Sequence, residues 1–205
     1  MAGQLGFVAA WVIGGLVQEG YSTAAQTVSE LFSLTADHPW ILWVGLGALA
    51  PSYVATAALL YRTLGPRGRP PAALFLVAVP LVLTVLFSPL DCMTNGDPRC
   101  AARVAAGEVS AAHSRHNLAA VTLQLCLVAT PFAVALALRG RRAAACVGIG
   151  LIGVATLVWV ALSGPGHEAY GVAQRTTFGF VNVWVIAIAL TAVSGFGSRG
   201  KVVGP

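Results

Sequence analysis

Six long apolar stretches constrain the fold of this chain more than any other feature of its sequence. A helix that crosses a bilayer needs about 20 mostly apolar residues, and five of the stretches approach or exceed that length. The six stretches are Ala2–Val17, Trp40–Tyr61, Pro71–Leu90, Asn117–Leu138, Ala143–Ser163 and Thr177–Gly195. Only 9% of the residues are charged, whereas soluble domains carry about 25%. We therefore predict an all-α, polytopic transmembrane bundle of six helices that forms one domain over residues 1–205.

The basic residues predict how this bundle is oriented. Most of the 12 Lys and Arg residues follow the second, fourth and sixth stretches, in regions without acids. They are Arg62, Arg67, Arg69, Arg139, Arg141, Arg142, Arg199 and Lys201. The positive-inside rule places these regions, and therefore both termini, in the cytoplasm. We predict a multi-pass protein of the bacterial inner membrane, and we attribute the net charge of +5 to orientation rather than to a nucleic-acid partner.

All acidic residues and all histidines fall in the three other connections, on the predicted outer side. These connections span residues 18–39, 91–116 and 164–176. Connections longer than about 12–15 residues are usually functional or structured. In the first one, Ala24, Val28, Leu31 and Phe32 recur at helical spacing. This pattern predicts a short helix that lies in the membrane interface.

Two cysteines bracket a short segment of the second outer connection. Outside the cytoplasm disulfides persist, so we predict a disulfide between Cys92 and Cys100, which would pin this segment. The spacing leaves two alternatives open, namely two free thiols or one metal ligand. Cys126 and Cys146 lie inside helices and are interpreted as small buried hydrophobic residues.

Two histidines near the start of the fourth stretch form the most specific local pattern. His113 and His116 are three residues apart and therefore share a helix face, which continues through Asn117 to Gln124. A polar stripe on an apolar helix should face protein or water. The pattern indicates a proton shuttle or an acid–base role, while hydrogen bonds between helices are the structural alternative. A metal site completed by Asp91 or Glu108 lacks a strong motif, and we predict no metal or cofactor.

Two carboxylates complete the predicted catalytic set. Thr27 and Glu30 have capping-box spacing, so Glu30 is either a helix cap or a carboxylic acid that roofs a cavity, where burial would raise its pKa. Asp91 either caps its loop or partners a histidine of the next helix. The predicted catalytic residues are Glu30, Asp91, His113 and His116.

A further set of side chains is predicted to bind substrate. Arg175 would pair with Glu30 or Asp91, or bind an anionic headgroup. Trp159 and Trp184 would either pack in the core or line a cavity and stabilise a cation. The predicted substrate-binding residues are Tyr21, Asn117, Gln124, Trp159, Arg175, Asn182 and Trp184.

Several segments resemble those of a bacterial and archaeal family of small integral membrane proteins, domain of unknown function 998. The segments are Tyr21–Ser22, Gln26–Leu31, Ser88–Cys92, His113–Asn117 and Gly171–Arg175. The resemblance covers nearly the whole chain and implies a helical membrane bundle, but it brings no established activity or catalytic residues. In size and layout the chain is also similar to small membrane-bound terpene cyclases, although their motif has no residue-by-residue match here.

These features favour an integral membrane enzyme that acts on an isoprenoid or lipid by acid–base chemistry, with a terpene cyclase as its most specific form. The expected partners are membrane lipid and a hydrophobic small molecule, while the sequence does not indicate an oligomeric state. One alternative is a small transporter or a proton-coupled sensor. Another is an accessory membrane protein without enzymatic activity. The one-sided concentration of acids, histidines and arginines above an apolar bundle favours the enzyme.

Overall fold

The computed structural model describes residues 1–194 and confirms an all-helical bundle of six long helices. The long helices are α1 (Ala2–Val17), α2 (Pro39–Leu64), α3 (Arg69–Leu86), α5 (Ala111–Ala137), α6 (Gly140–Ser163) and α7 (Tyr170–Val193), and α4 (Pro98–Ala105) is short. The predicted end of the last stretch at Gly195, and the basic residues Arg199 and Lys201, lie outside the described residues.

Four segments of the described chain are long and apolar enough to cross a membrane. They are Pro39–Leu86, Ala111–Ala137, Gly140–Ser163 and Tyr170–Val193. The first contains both α2 and α3, which fold back on each other, since the Trp43 indole N–H at the start of α2 donates to the Leu86 carbonyl at the end of α3 (3.0 Å). At 16 residues α1 is shorter than a typical span. The chain is therefore a membrane-spanning helical protein.

The helices pack in chain order, and α6 lies at the edge of the bundle. Each long helix contacts the next, while α7 also returns to α1 and α2. The centre is filled by side chains such as Leu60, Phe75, Val82 and Val185, all of which are inaccessible to solvent. In contrast, only 22% of the α6 membrane segment is buried, compared with 50% for α5. One side of α6 therefore remains free to face lipid.

Three connections fold over the same end of the bundle, and we call them together the polar cap: residues 18–38, 87–110 and 164–169. Backbone and side-chain hydrogen bonds join them, because the Leu34 N–H donates to the Leu90 carbonyl (2.8 Å) and the Gly166 N–H donates to Asn95 Oδ1 (2.8 Å). The cap also holds all the acidic residues of the sequence. The acidic residues, which are confined to three connections in the sequence, thus lie together in one polar layer at the same end of the bundle.

The first segment of the cap differs from the predicted interfacial helix. It contains a 3-10 helix of five residues, Val28–Phe32, which contacts α1, α2 and α7. Its apolar side chains Val28, Leu31 and Phe32 are buried in the core. The apolar periodicity therefore reflects packing against the bundle, where burial removes these side chains from both water and lipid.

The second segment contains the predicted disulfide. The sulfur atoms of Cys92 and Cys100 are 2.01 Å apart, and the bond links the connection after α3 to α4. Both cysteines are buried. Cys126 on α5 and Cys146 on α6 remain free, and only Cys146 is fully buried. The disulfide therefore restrains the part of the cap that contains Asn95.

Substitutions at two glycines of α6 would test how closely this helix approaches its neighbours. A Cβ atom at Gly153 would lie 2.6 Å from the Phe180 ring and 3.0 Å from Val128 Cγ1, whereas a Cβ at Gly148 would meet nothing within 4 Å. We expect Gly153→Ala to lower the free energy of unfolding by about 1–3 kcal/mol. Gly148→Ala should be neutral or slightly stabilising, because alanine favours helix. Thermal unfolding in detergent measures both, and equal midpoints would contradict the close packing.

Candidate functional site

A large cavity of about 840 Å³ lies beneath the polar cap, between α5, α6 and α7. Most of its wall is apolar and comes from the membrane-spanning parts of these helices. The apolar lining includes Ala120, Val121, Leu125, Val128, Ala129, Phe132, Val154, Leu157, Val158, Val160, Ala161 and Phe178. A cavity of this size is comparable to the larger ligand sites of proteins, which reach about 1,000 Å³.

The cavity opens sideways along the membrane-spanning segments. Val121 and Leu125 on α5 line the cavity but remain 61% and 56% exposed, and Val158 on α6 is 51% exposed. Because these residues lie well inside their helices, the opening between α5 and α6 faces the region that lipid tails occupy. We refer to this space as the lipid-facing cavity.

The end of the lipid-facing cavity nearest the polar cap is polar. Its lining there includes Thr27, Glu30, Thr94, Asn95, His113, Asn117, Tyr170 and Gln174. The site thus combines a long apolar wall with one polar end, and this is the distribution that an amphiphilic ligand requires.

Glu30 is a cap of the 3-10 helix and a wall of the cavity at the same time. Its Oε2 accepts the Thr27 N–H (2.8 Å) in a complete capping box, and its Oε1 accepts the backbone N–H of Asn95 (2.5 Å) and the Asn95 amide (3.2 Å). The side chain is 1% exposed. Burial raises the pKa of Glu30, and the hydrogen bonds from Asn95 and Thr27 oppose this shift only in part.

The Asp91 carboxylate binds the N-cap residue of α5. Its carboxylate accepts the Ser110 hydroxyl (2.6 Å) and the Ser110 N–H (2.7 Å), and Ser110 is the N-cap of α5. These hydrogen bonds hold the pKa of the Asp91 carboxyl below its ordinary value. The predicted histidine contact exists, but the Asp91 backbone N–H makes it, by donating to His113 Nδ1 (3.2 Å). The carboxylate itself is therefore committed to helix capping.

The two histidines are held in opposite tautomers and line different cavities. A backbone N–H can only donate, so His113 Nδ1 is an acceptor and the proton of the neutral ring is on Nε2. A carbonyl can only accept, so His116 Nδ1 donates its proton to the Ser88 carbonyl (2.8 Å). His113 lines the lipid-facing cavity. His116 lines a second, smaller cavity, so their helical spacing does not bring the two rings to one site.

This smaller cavity has a volume of about 50 Å³ and lies between α1, α2, α5 and α7. Gln124 and Asn182 line it together with His116, and the rest of its wall is mostly apolar. Gln124 also lines the lipid-facing cavity, as do Ser29, Ala120 and Phe178. The two cavities are therefore adjacent. Asn117, in contrast, belongs to the lipid-facing cavity alone.

Arg175 and Tyr21 fasten the first loop of the cap to α7. Arg175 Nη1 donates to the carbonyls of Thr23 and Gln26 (2.7 Å each), and Nη2 donates to the Tyr21 hydroxyl. The guanidinium also lies over the rings of Trp11 and Tyr21, 5.8 and 5.3 Å from their centroids. Arg175 therefore does not form the ion pair predicted with Glu30 or Asp91. Its guanidinium instead donates to backbone carbonyls of the first loop and to the Tyr21 hydroxyl. Neither side chain lines a cavity described above.

The two deep tryptophans also lie away from both cavities. Trp184 is buried in the core, where its indole N–H donates to the Thr130 hydroxyl (2.8 Å). Trp159 is 40% exposed on α6. Of the two alternatives left open by the sequence, Trp184 takes core packing, and Trp159 lies at the surface, so neither ring lines either of these cavities.

Sequence reasoning did not identify Asn95 or Gln174 as site residues. Asn95 bridges two loops, since its amide and backbone donate to Glu30 while its Oδ1 accepts the Gly166 N–H. Gln174 Oε1 accepts the Val28 N–H (2.7 Å). Asn95 lies within the short segment that the disulfide closes, which was the one available signal. Within residues 1–194 no group of three or more His, Cys, Asp or Glu side chains is placed to hold a metal ion.

A family model described as "Protein of unknown function (DUF998)" matches residues 1–191. The chain belongs to this family. The DUF998 assignment confirms the resemblance carried by segments such as Gln26–Leu31 and His113–Asn117. No curated protein and no solved structure matches this chain, and the likeness to terpene cyclases gains no support from these comparisons.

The raised pKa of Glu30 predicts a pH-dependent contribution to stability. A carboxyl with a raised pKa in the folded state contributes stability at low pH, and this contribution is lost as pH rises from the unfolded value, 4.5, through the folded value. Glu30→Gln removes this titration. We therefore expect the melting temperature of the variant, relative to the wild type, to increase as pH rises above 4.5. The titration of Asp91 occurs in both proteins and therefore cancels in this comparison. A difference in melting temperature that does not change with pH would contradict a buried Glu30 with a raised pKa.

Proposed function

We propose that this DUF998 protein is an integral membrane enzyme that takes an isoprenoid or lipid from the bilayer and acts on its polar end by acid–base chemistry. The observation that carries the proposal is the lipid-facing cavity, which is apolar along its length, open between α5 and α6, and closed at one end by Glu30 and His113. A hydrocarbon chain would occupy the apolar part, where its burial is favourable. Its headgroup would then meet the polar end.

Glu30 and His113 suit complementary chemical roles at this end. Burial raises the pKa of Glu30, so the carboxyl holds its proton more firmly than a carboxyl in water and suits the role of a general acid. His113 would present its Nε2 proton to a carbonyl or phosphoryl oxygen, because Nδ1 already accepts the Asp91 N–H. Asn117 and Gln174 line the same region and would orient the headgroup.

The lining also accommodates the more specific cyclase form of this proposal. The rings of Phe132, Tyr170 and Phe178 line the cavity, and aromatic faces stabilise cations. A polyene substrate protonated by Glu30 would meet these rings in place of Trp159 and Trp184. Among the candidate substrates, this feature favours isoprenoids.

The proposed setting is the cell membrane, with the polar cap on the outer side. The basic residues of the α2–α3 connection, Arg62, Arg67 and Arg69, lie at the end opposite the cap, and the positive-inside rule assigns that end to the cytoplasm. A substrate that enters sideways from the bilayer needs no passage through water, so the outward position of the polar end is compatible with a membrane-dissolved substrate.

Occupancy of the cavity is tested by photocrosslinking in vesicles of phosphatidylethanolamine and phosphatidylglycerol. We expect a diazirine-bearing isoprenoid alcohol or phospholipid to label Val121, Leu125 and Val158. Ala161→Trp should abolish this labelling, because Ala161 lines the cavity and an indole there fills it. Ala155→Trp is the matched control on the same helix, exposed and outside the lining. Labelling that survives in Ala161→Trp, or that is lost to the same extent in Ala155→Trp, would contradict the proposed binding site.

Catalysis is tested by the variants Glu30→Gln and His113→Gln, which retain the size of each side chain. Each should lower turnover by at least about 100-fold, the usual minimum contribution of a general acid or base, while crosslinking persists. Thr122→Val, on α5 outside both cavities, should keep wild-type turnover. Proteoliposomes would be incubated with isoprenoid alcohols, isoprenoid diphosphates and phospholipids, and products followed by mass spectrometry. Unchanged turnover in both cavity variants would refute the assigned roles.

A further inference from the structure

Three residues that line the small cavity each have a buried polar atom without a hydrogen-bond partner among residues 1–194. They are His116 Nε2, Gln124 Oε1 and Asn182 Oδ1, and all three residues line this one cavity. His116 and Asn182 are 1% and 5% exposed. A buried acceptor left unpaired costs about 1–3 kcal/mol, so three in one cavity indicate a bound group that satisfies them.

Two of these atoms are fixed as acceptors by their other contacts. His116 Nδ1 carries the proton that it donates to the Ser88 carbonyl, which leaves Nε2 of the neutral ring bare. The Asn182 amide nitrogen donates to the Phe178 carbonyl (2.7 Å), which leaves Oδ1 as the unpaired acceptor of this side chain. The amide of Gln124 is free to present either of its polar atoms.

The chemistry of the missing group follows from these atoms and from the volume. Two fixed acceptors require two donors, and one water molecule supplies both, whereas an alcohol supplies one. A volume of about 50 Å³ exceeds the 10–15 Å³ or so that a single water requires on this measure. An ammonium group would also have enough donors, but the residues described as lining this cavity include no carboxylate, and a buried cation without one is strongly unfavourable.

We propose that the small cavity is a built water site, in which His116 Nε2 and Asn182 Oδ1 accept hydrogen bonds from a buried water and Gln124 completes the site. Ser29, Ala120, Gln124 and Phe178 line both cavities, so this water lies against the wall of the lipid-facing cavity. His116 thus places a proton acceptor and a water molecule inside the membrane-spanning bundle. This inference holds whether or not the lipid-facing cavity binds a substrate.

The direct test is a structure of the full chain in nanodiscs at a resolution that shows ordered solvent. We expect density about 2.7–3.2 Å from both His116 Nε2 and Asn182 Oδ1. An empty cavity, or one filled by a lipid tail, would overturn the proposal. This result does not depend on crosslinking at Val121 or Val158, so it is distinguishable from failure of the proposed function.

A second test uses ¹⁵N-histidine solid-state NMR, with magnetisation transferred from water to the His116 ring. The wild type should show transfer to an unprotonated Nε2. Asn182→Leu should abolish this transfer, because leucine fills the site and removes one acceptor. Thr122→Val, which lies on α5 outside the cavity, should retain it. Absence of transfer in the folded wild type, or equal transfer in Asn182→Leu, would exclude the assigned site.

Discussion

Glu30 and Asn95 together join the three loops of the polar cap through hydrogen bonds, and Glu30 is the buried centre of this network. It accepts the Thr27 N–H of its own loop and the Asn95 N–H of the second loop, and Asn95 in turn accepts the Gly166 N–H of the third. A carboxyl buried without partners is strongly unfavourable, so the loops must close around Glu30 when the chain folds. The polar end of the lipid-facing cavity is therefore set by one hydrogen-bonded group.

The cavity itself depends on how α6 meets its neighbours. Gly150 and Gly153 lie close to the rings of Phe132 and Phe180, whereas Leu157 and Ala161, nearer the cap, line the cavity. Small residues let membrane helices approach closely. Because lipid tails are as apolar as the side chains, the hydrophobic effect does not hold membrane helices together where such close packing is missing. The helix is therefore held close at its glycines, while the space toward the cap stays open.

The histidine pair shows how a correct local pattern led to only part of the site. Residues three apart on an α-helix point about 60° away from each other, which is close enough to share a face. Here that angle separates His113, in the lipid-facing cavity, from His116, in the small one. Their hydrogen-bond partners then fix opposite tautomers, with Asp91 donating to the first ring and Ser88 accepting from the second.

The sequence alone determined the helices, the membrane class and the grouping of the acids, because hydrocarbon thickness and loop order act on every such chain. It predicted the disulfide between Cys92 and Cys100 but left free thiols or a metal ligand open, and the structure decided between them. The sequence also indicated Glu30 through its capping box. Only the tertiary structure decided which polar side chains share a cavity. Glu30 and Asn95 are 65 residues apart, and their contact depends on the path of two irregular loops. Such a path has no periodic pattern in sequence, since side-chain partners rather than repeating backbone geometry determine it.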